Sequence, residues 1–172
     1  MNYFELFELP VSLAVDQNKL AAQYLALQRK YDPAAWVNAG ADEQANALEK
    51  LRLVNNGFEV LKNPDSTISY VLKMKGLLAE NENYELPVDF LIEVKEINDG
   101  LRDGDVLNIE EAETKVFQLQ KSLDHTVQHI IEAYSEDTVT EGQLLQVKDY
   151  FFRKKYLQGI LESLGGKRNI AG

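Results

Sequence analysis

The stretch Leu27-Gln28-Arg29-Lys30-Tyr31-Asp32-Pro33-Ala34-Ala35-Trp36 decides the fold, because in it a basic, amphipathic helix runs into a proline and stops. Upstream, Leu20, Tyr24, Leu27 and Tyr31 recur at i, i+4, i+7 and i+11, a single apolar stripe, while Gln23, Arg29 and Lys30 fall off it into water. Asp16 stands where an N-cap belongs. Pro33 has no N–H to continue the ladder and disfavours helical geometry at Asp32, so the helix is predicted to end at Tyr31 or just before. Downstream, Ala34 to Ala41 reads as a loop with Asn38 and Gly40 as turn residues. A further helix is predicted from Asp42 to about Leu61, with Ala47, Leu51, Val54, Phe58 and Leu61 on one face. Two such helices joined by a short loop form an antiparallel hairpin.

Further out, Tyr3-Phe4-Glu5-Leu6-Phe7-Glu8-Leu9 before Pro10 predicts one or two aromatic helical turns packed on the hairpin. Asn63-Pro64 restarts the chain as cap and first helical residue, and a short helix carries Ile68, Val71, Leu72 and Met74 before Gly76 ends it. The polar segment 77–87 is expected to be a linker between an N-terminal module, 1–76, and a C-terminal one, 88–172. There a helix from Val88 to about Leu101 carries Phe90, Leu91, Val94, Ile97 and Leu101, and Gly100 with Asp103-Gly104-Asp105 marks its end. Asn108 is expected to cap a long helix with Ile109, Ala112, Val116, Leu119, Leu123, Val127, Ile130 and Tyr134 at spacings of three and four. Thr140-Glu141-Gly142-Gln143 reads as the capping box of a last helix ending at Leu164 before Gly165-Gly166, with a frayed tail from Lys167. The fold class is all-α, with the C-terminal helices in an antiparallel three-helix bundle.

The chain has no cysteine, which excludes disulfides, thiolate catalysis and a thiolate metal site within it. Its N-terminus lacks a basic n-region and no apolar run approaches a membrane span, so it is expected to be cytoplasmic. Net charge is −10, and residues 1–76 hold nearly balanced acids and bases, so the acidity is C-terminal. Such a surface disfavours nucleic acid and anionic lipid.

The order of elements resembles a J-domain, and the resemblance extends to residues. Tyr31 followed by X-Pro-X sits where J-domains carry Tyr-His-Pro-Asp. Val54-Asn55-Asn56-Gly57-Phe58-Glu59-Val60-Leu61 resembles their Ile-Asn-x-Ala-Tyr-x-x-Leu signature, and Asn63-Pro64 with Tyr70 resembles their Asp-Pro…Tyr ending. A J-domain followed by a three-helix bundle is similar to the HscB family of iron–sulfur co-chaperones. There the bundle opens with Phe-Leu-Met-Glu and a later helix carries a basic-aromatic cluster; Phe90-Leu91-Ile92-Glu93 and Tyr150-Phe151-Phe152-Arg153-Lys154-Lys155-Tyr156-Leu157 occupy those places. The resemblance implies an L-shaped protein with no chemistry and no cofactor of its own. Its J-domain docks on a DnaK-type ATPase chaperone and stimulates ATP hydrolysis, and its bundle holds the scaffold protein on which a cluster is built. Arg29, Lys30, Asp32, Pro33 and Ala34 would then face the chaperone, and Leu91, Ile92, Lys95, Glu96, Asp99 and Phe152 the scaffold.

The sequence departs from that pattern where it matters. Asp32 replaces the motif histidine and Ala34 its aspartate, which in the family engages an arginine of the chaperone. Weakened stimulation is expected; the alternative is a pseudo-J adaptor that binds partners without activating an ATPase. Lys95 replaces a residue usually apolar, and Thr67 stands where J-domains often carry a basic residue. Arg29 and Lys30 equally suit a solvated helix face, and Leu91 a core position, so Ile92, about 100° round the helix from Leu91, is the better discriminator. Trp36 reads as a loop anchor or, if exposed, a binding hot spot. His125, His129 and Glu132 share a helix face and could ligate a metal, but a plain polar face has the same pattern. The acids Glu93, Glu96, Glu110, Glu111 and Glu113 suit helix starts through the dipole.

Overall fold

The helices begin where short polar side chains supply acceptors for their first free N–H groups. The computed structural model describes residues 1–99 and 106–171, and every regular element in them is helical. Asn2 and Glu5 form a reciprocal capping box for α1 (Tyr3–Leu6). Asp16 caps α2 (Gln17–Lys30) by accepting from the amides of Asn18 and Lys19. After a 3₁₀ turn (Pro33–Trp36) come α3 (Ala41–Leu61) and α4 (Pro64–Met74), the latter capped by Asn63 with Pro64 at its first position. Gly76, at φ +71°, ends this run in the left-handed region that favours glycine. Then follow α5 (Val88–Asp99), α6 (Val106–Glu132) and α7 (Glu141–Ala171).

The chain divides into two units. The first is Met1–Lys75 with Tyr134–Thr138, the second Gly76–Ala133 with Val139–Gly172. In the first, α2 and α3 form the hairpin and α1 and α4 pack on α3. Phe4, Phe7, Leu13, Leu20, Val54, Leu61, Val71 and Leu72 fill its core; fully burying one such side chain contributes about 1.5–3 kcal/mol. Across the hairpin Tyr24 stacks on Phe58 with ring centroids 3.9 Å apart, and its hydroxyl donates to Asn55 Oδ1 at 3.1 Å. Tyr70 stacks on Tyr3 and accepts from the Tyr3 amide at 3.0 Å, which ties α1 to α4.

Gly57 is the close-approach point of this unit. A Cβ there would lie 2.8 Å from Tyr3 Cδ1 and 2.9 Å from Phe7 Cε2. Phe7 is fully buried and Tyr3 is held by Tyr70, so neither ring has free room. Gly57→Leu is therefore expected to push α1 off α3 and to destabilise the first unit by about 1–3 kcal/mol, the usual cost of overpacking. Urea unfolding of the two chains checks this.

In the second unit, α6 and α7 form an antiparallel pair to which α5 adds. Its core comprises Phe90, Val94 and Ile97 of α5, Ile109, Ala112, Val116, Leu123, Val127 and Ile130 of α6, and Leu144, Val147, Tyr150, Leu157 and Leu164 of α7.

Several expected boundaries move. The loop after Pro33 is partly a 3₁₀ turn, because Asp32 caps it and Pro33 pre-sets its first position. Asn108 is not a cap but lies inside α6, which is already helical at Val106; the expected helix end at Gly100 and Asp103-Gly104-Asp105, and the burial of Leu101, lie outside the described residues. Tyr134 lies past the end of α6. The last helix continues through Gly165-Gly166 to Ala171 instead of fraying. Each glycine costs up to about 1 kcal/mol in a helix, but Leu164 is buried just before them and Arg168 Nη2 pairs with Glu113 Oε2 of α6 at 2.5 Å just after.

Candidate functional site

The corner after α2 is built by three hydrogen bonds. Lys30 is the last helical residue, and the Tyr31 amide donates to the Leu27 carbonyl at 3.0 Å. Trp36 then folds back so that its Nε1 donates to the Lys30 carbonyl at 2.9 Å, satisfying an acceptor the ended helix leaves open. Trp36 is thus an anchor, half-buried, and not an exposed hot spot. Asp32 Oδ1 accepts from the Ala34 amide at 2.8 Å, so the one carboxylate of the corner, though exposed, is engaged through one oxygen as a cap.

Arg29, Lys30, Asp32, Pro33 and Ala34 are all exposed at this corner, with Lys30 Nζ 5.3 Å from the Tyr31 ring centroid. Behind them on α2, Ala22, Leu25 and Ala26 are exposed on one face with Arg29, and Leu25 keeps 53% of its surface. With Lys19 and Lys30 also exposed there, the outward face is partly basic and partly apolar. Sequence periodicity missed Leu25 because it lies just off the core stripe.

Thr67 is no surface residue. It is 1% exposed, and its hydroxyl donates to backbone carbonyls at the junction of α3 and α4, closest to Asn63 at 2.8 Å. A basic side chain there would have to leave the core.

The second unit places Leu91, Ile92, Lys95, Glu96 and Asp99 on one exposed face of α5, with Leu91 at 38% and Ile92 at 53% exposure. Phe90, Val94 and Ile97 take the core positions, so Leu91 is surface and not core. Val88, at 68%, extends this apolar patch by one turn and was not singled out from the sequence, where it reads only as the helix start. Phe152 is half-buried on α7, and its ring contacts are with Tyr84 and Phe151, not with the α5 face.

Segment 77–87 is held against α7. The Tyr84 ring lies on Phe152, centroids 4.5 Å apart and 4° from parallel, and its hydroxyl donates to Asp149 Oδ1 at 2.7 Å. Lys148 Nζ reaches Glu82 at 2.8 Å. Burial, then the hydrogen bond to Asp149 and that carboxylate's charge, push the Tyr84 phenol up to about 12. A folded state that keeps its proton above the ordinary value of 10.0 gives a stabilisation present in full below that pH and lost as pH rises through about 12. Unfolding free energy is expected to fall between those values, and less so in Tyr84→Phe, as denaturant titrations across that range would read out.

His125, His129 and Glu132 are exposed along α6, and among the described residues no group of three metal-type ligands converges. No helix among them is long and apolar enough to cross a membrane.

Comparisons with known proteins give matches that run through both units. The chain is 28% identical over 167 residues, 95% of each sequence, to the co-chaperone protein HscB homolog of Shewanella pealeana. It is 35% identical over 104 residues, 60% of each, to that of Shewanella amazonensis. The crystal structure of human co-chaperone protein HscB matches 98% of this chain and 82% of its own at 28% identity and a TM-score of 0.78. Over nearly its whole length the chain is similar to HscB co-chaperones. The fold is likewise that of chaperone HscB from Vibrio cholerae, with a TM-score of 0.73 over the whole of both chains at 21% identity. No family model matches the sequence. The corner after α2 and the outer face of α5 both present charged and apolar side chains to solvent.

Proposed function

We propose that this chain is an HscB-type co-chaperone, without enzymatic activity of its own, that delivers an iron–sulfur scaffold protein to a DnaK-type ATPase chaperone, with weakened stimulation of that ATPase. Similarity to co-chaperones along the whole chain supports the delivery role. One observation carries the weakening: the Asp32 carboxylate caps the Ala34 amide at 2.8 Å, and residue 34 has no carboxylate of its own. A carboxylate turned into a cap is a poor substitute for one aimed at a chaperone arginine. Losing one partner of a desolvated charge pair costs about 2–5 kcal/mol, and each 1.4 kcal/mol or so is tenfold, so stimulation is reduced by at least about an order of magnitude.

Arg29 and Lys30 supply the docking charge and Pro33 the shape of the corner. Leu91, Ile92, Lys95, Glu96 and Asp99 hold the scaffold; Phe152 supports that side, with part of its ring taken by Tyr84. A pseudo-J adaptor is the second reading, favoured by the exposed apolar patch of Ala22, Leu25 and Ala26 on α2. Single-turnover ATP hydrolysis by the cognate chaperone, with and without this chain, separates the two. Weak but measurable acceleration supports the co-chaperone, none at saturating concentration supports the adaptor, and robust acceleration sinks both the adaptor and the weakening.

A further inference from the structure

We propose that Tyr84, Asp149 and Arg153 form a positioning relay that fixes the first turn of α5 on α7 and so sets the Leu91–Ile92 face for its partner; the inference rests on the scaffold-binding reading above.

The two oxygens of Asp149 serve different elements. Oδ1 accepts from the Tyr84 hydroxyl at 2.7 Å, and Oδ2 pairs with Arg153 Nε at 2.6 Å. The guanidinium carbon of Arg153 lies 5.3 Å from the centroid of the Phe90 ring, which also meets Tyr156 edge-on at 6.0 Å. Phe90 is 2% exposed and immediately precedes Leu91. The segment before α5 and the first turn of α5 are therefore fastened to the same carboxylate. With Glu82 and Lys148 alongside, the cluster holds two acids and two bases, largely shielded from water, so no charge is left uncompensated.

An aliphatic side chain at 153 would cover Phe90 without the cost of desolvating charge. Buried ion pairs contribute little net stability compared with well-packed apolar groups, and their best-attested use is to specify one arrangement. What this cluster specifies is the position of a helix of three turns, too short to be stable alone. None of the three residues need touch the partner, so they are positioning residues.

The test has a readout that needs no partner. In Asp149→Asn and Tyr84→Phe, each checked for helicity and melting temperature, amide hydrogen exchange across residues 84–92 of the free protein is expected to accelerate at least about tenfold, while residues 141–147 of α7 are unchanged. The dissociation constant for the iron–sulfur scaffold protein is expected to rise by about tenfold in Asp149→Asn, less in Tyr84→Phe, which keeps the stack on Phe152, and to recover in part when Arg153→Lys is compared with Arg153→Ala. Unchanged exchange overturns the relay. Accelerated exchange with unchanged scaffold affinity overturns its positioning role. A wild-type chain that does not bind the scaffold sinks the functional reading and this inference with it, and the exchange arm tells that outcome from failure of the relay itself.

Discussion

The double substitution Asp32→His with Ala34→Asp is expected to raise the chain's stimulation of single-turnover ATP hydrolysis by at least about tenfold, the inverse of the charge-pair loss estimated above. The corner is otherwise ready. Tyr31 ends the helix, Pro33 starts the 3₁₀ turn and Trp36 seals the Lys30 carbonyl. Replacing Asp32 removes the cap on the Ala34 amide, a loss of about 0.5–2 kcal/mol. That loss falls on one exposed turn and leaves the hairpin core of Leu20, Val54 and Leu61 intact. The single changes divide the effect. Ala34→Asp supplies the carboxylate after the proline and is expected to recover most of it, and Asp32→His alone little. If the double variant stimulates no better than the wild type while binding the chaperone, the lost polar groups are not what limits activation.

Ile92→Glu is expected to weaken scaffold binding by more than about tenfold, with melting temperature nearly unchanged. The side chain is 53% exposed and its helix keeps Phe90, Val94 and Ile97 in the core, so the fold barely registers the substitution. In an apolar contact the new carboxylate would be desolvated without a partner, at a cost of about 2–5 kcal/mol. Val94→Glu is the contrasting control, since Val94 is 1% exposed and a charge there unfolds the bundle before binding can be measured. Titration of the scaffold by calorimetry reads both. Equal affinity for wild type and Ile92→Glu would move the scaffold site away from α5.

Much of this was legible locally. The caps at Asp16 and Asn63, the box at Thr140 and Gln143 and the stop at Pro33 are each decided within a few residues. The stripes of α3 and α6 likewise separate core from surface by period alone. What escaped depends on partners distant in sequence. Gly165-Gly166 reads as a stop until Arg168 finds Glu113, 55 residues away. The packing of segment 77–87 on α7 is hidden in the same way, since Tyr84 finds Asp149 65 residues on. Thr67 has the composition of a surface position, and only the end of α3 above it makes it buried. The direction of the Asp32 carboxylate was equally hidden, because a cap and a free acid have the same letter.

The hydrogen bond from Trp36 to Lys30 has a practical consequence. Trp36 is the only tryptophan of the chain, so emission excited selectively in the indole band comes from the first unit alone, whereas far-ultraviolet circular dichroism sums the helices of both. Superimposable denaturation curves from the two signals would mean that the units melt as one cooperative block; separated midpoints would give each its own stability, with no label added to the protein.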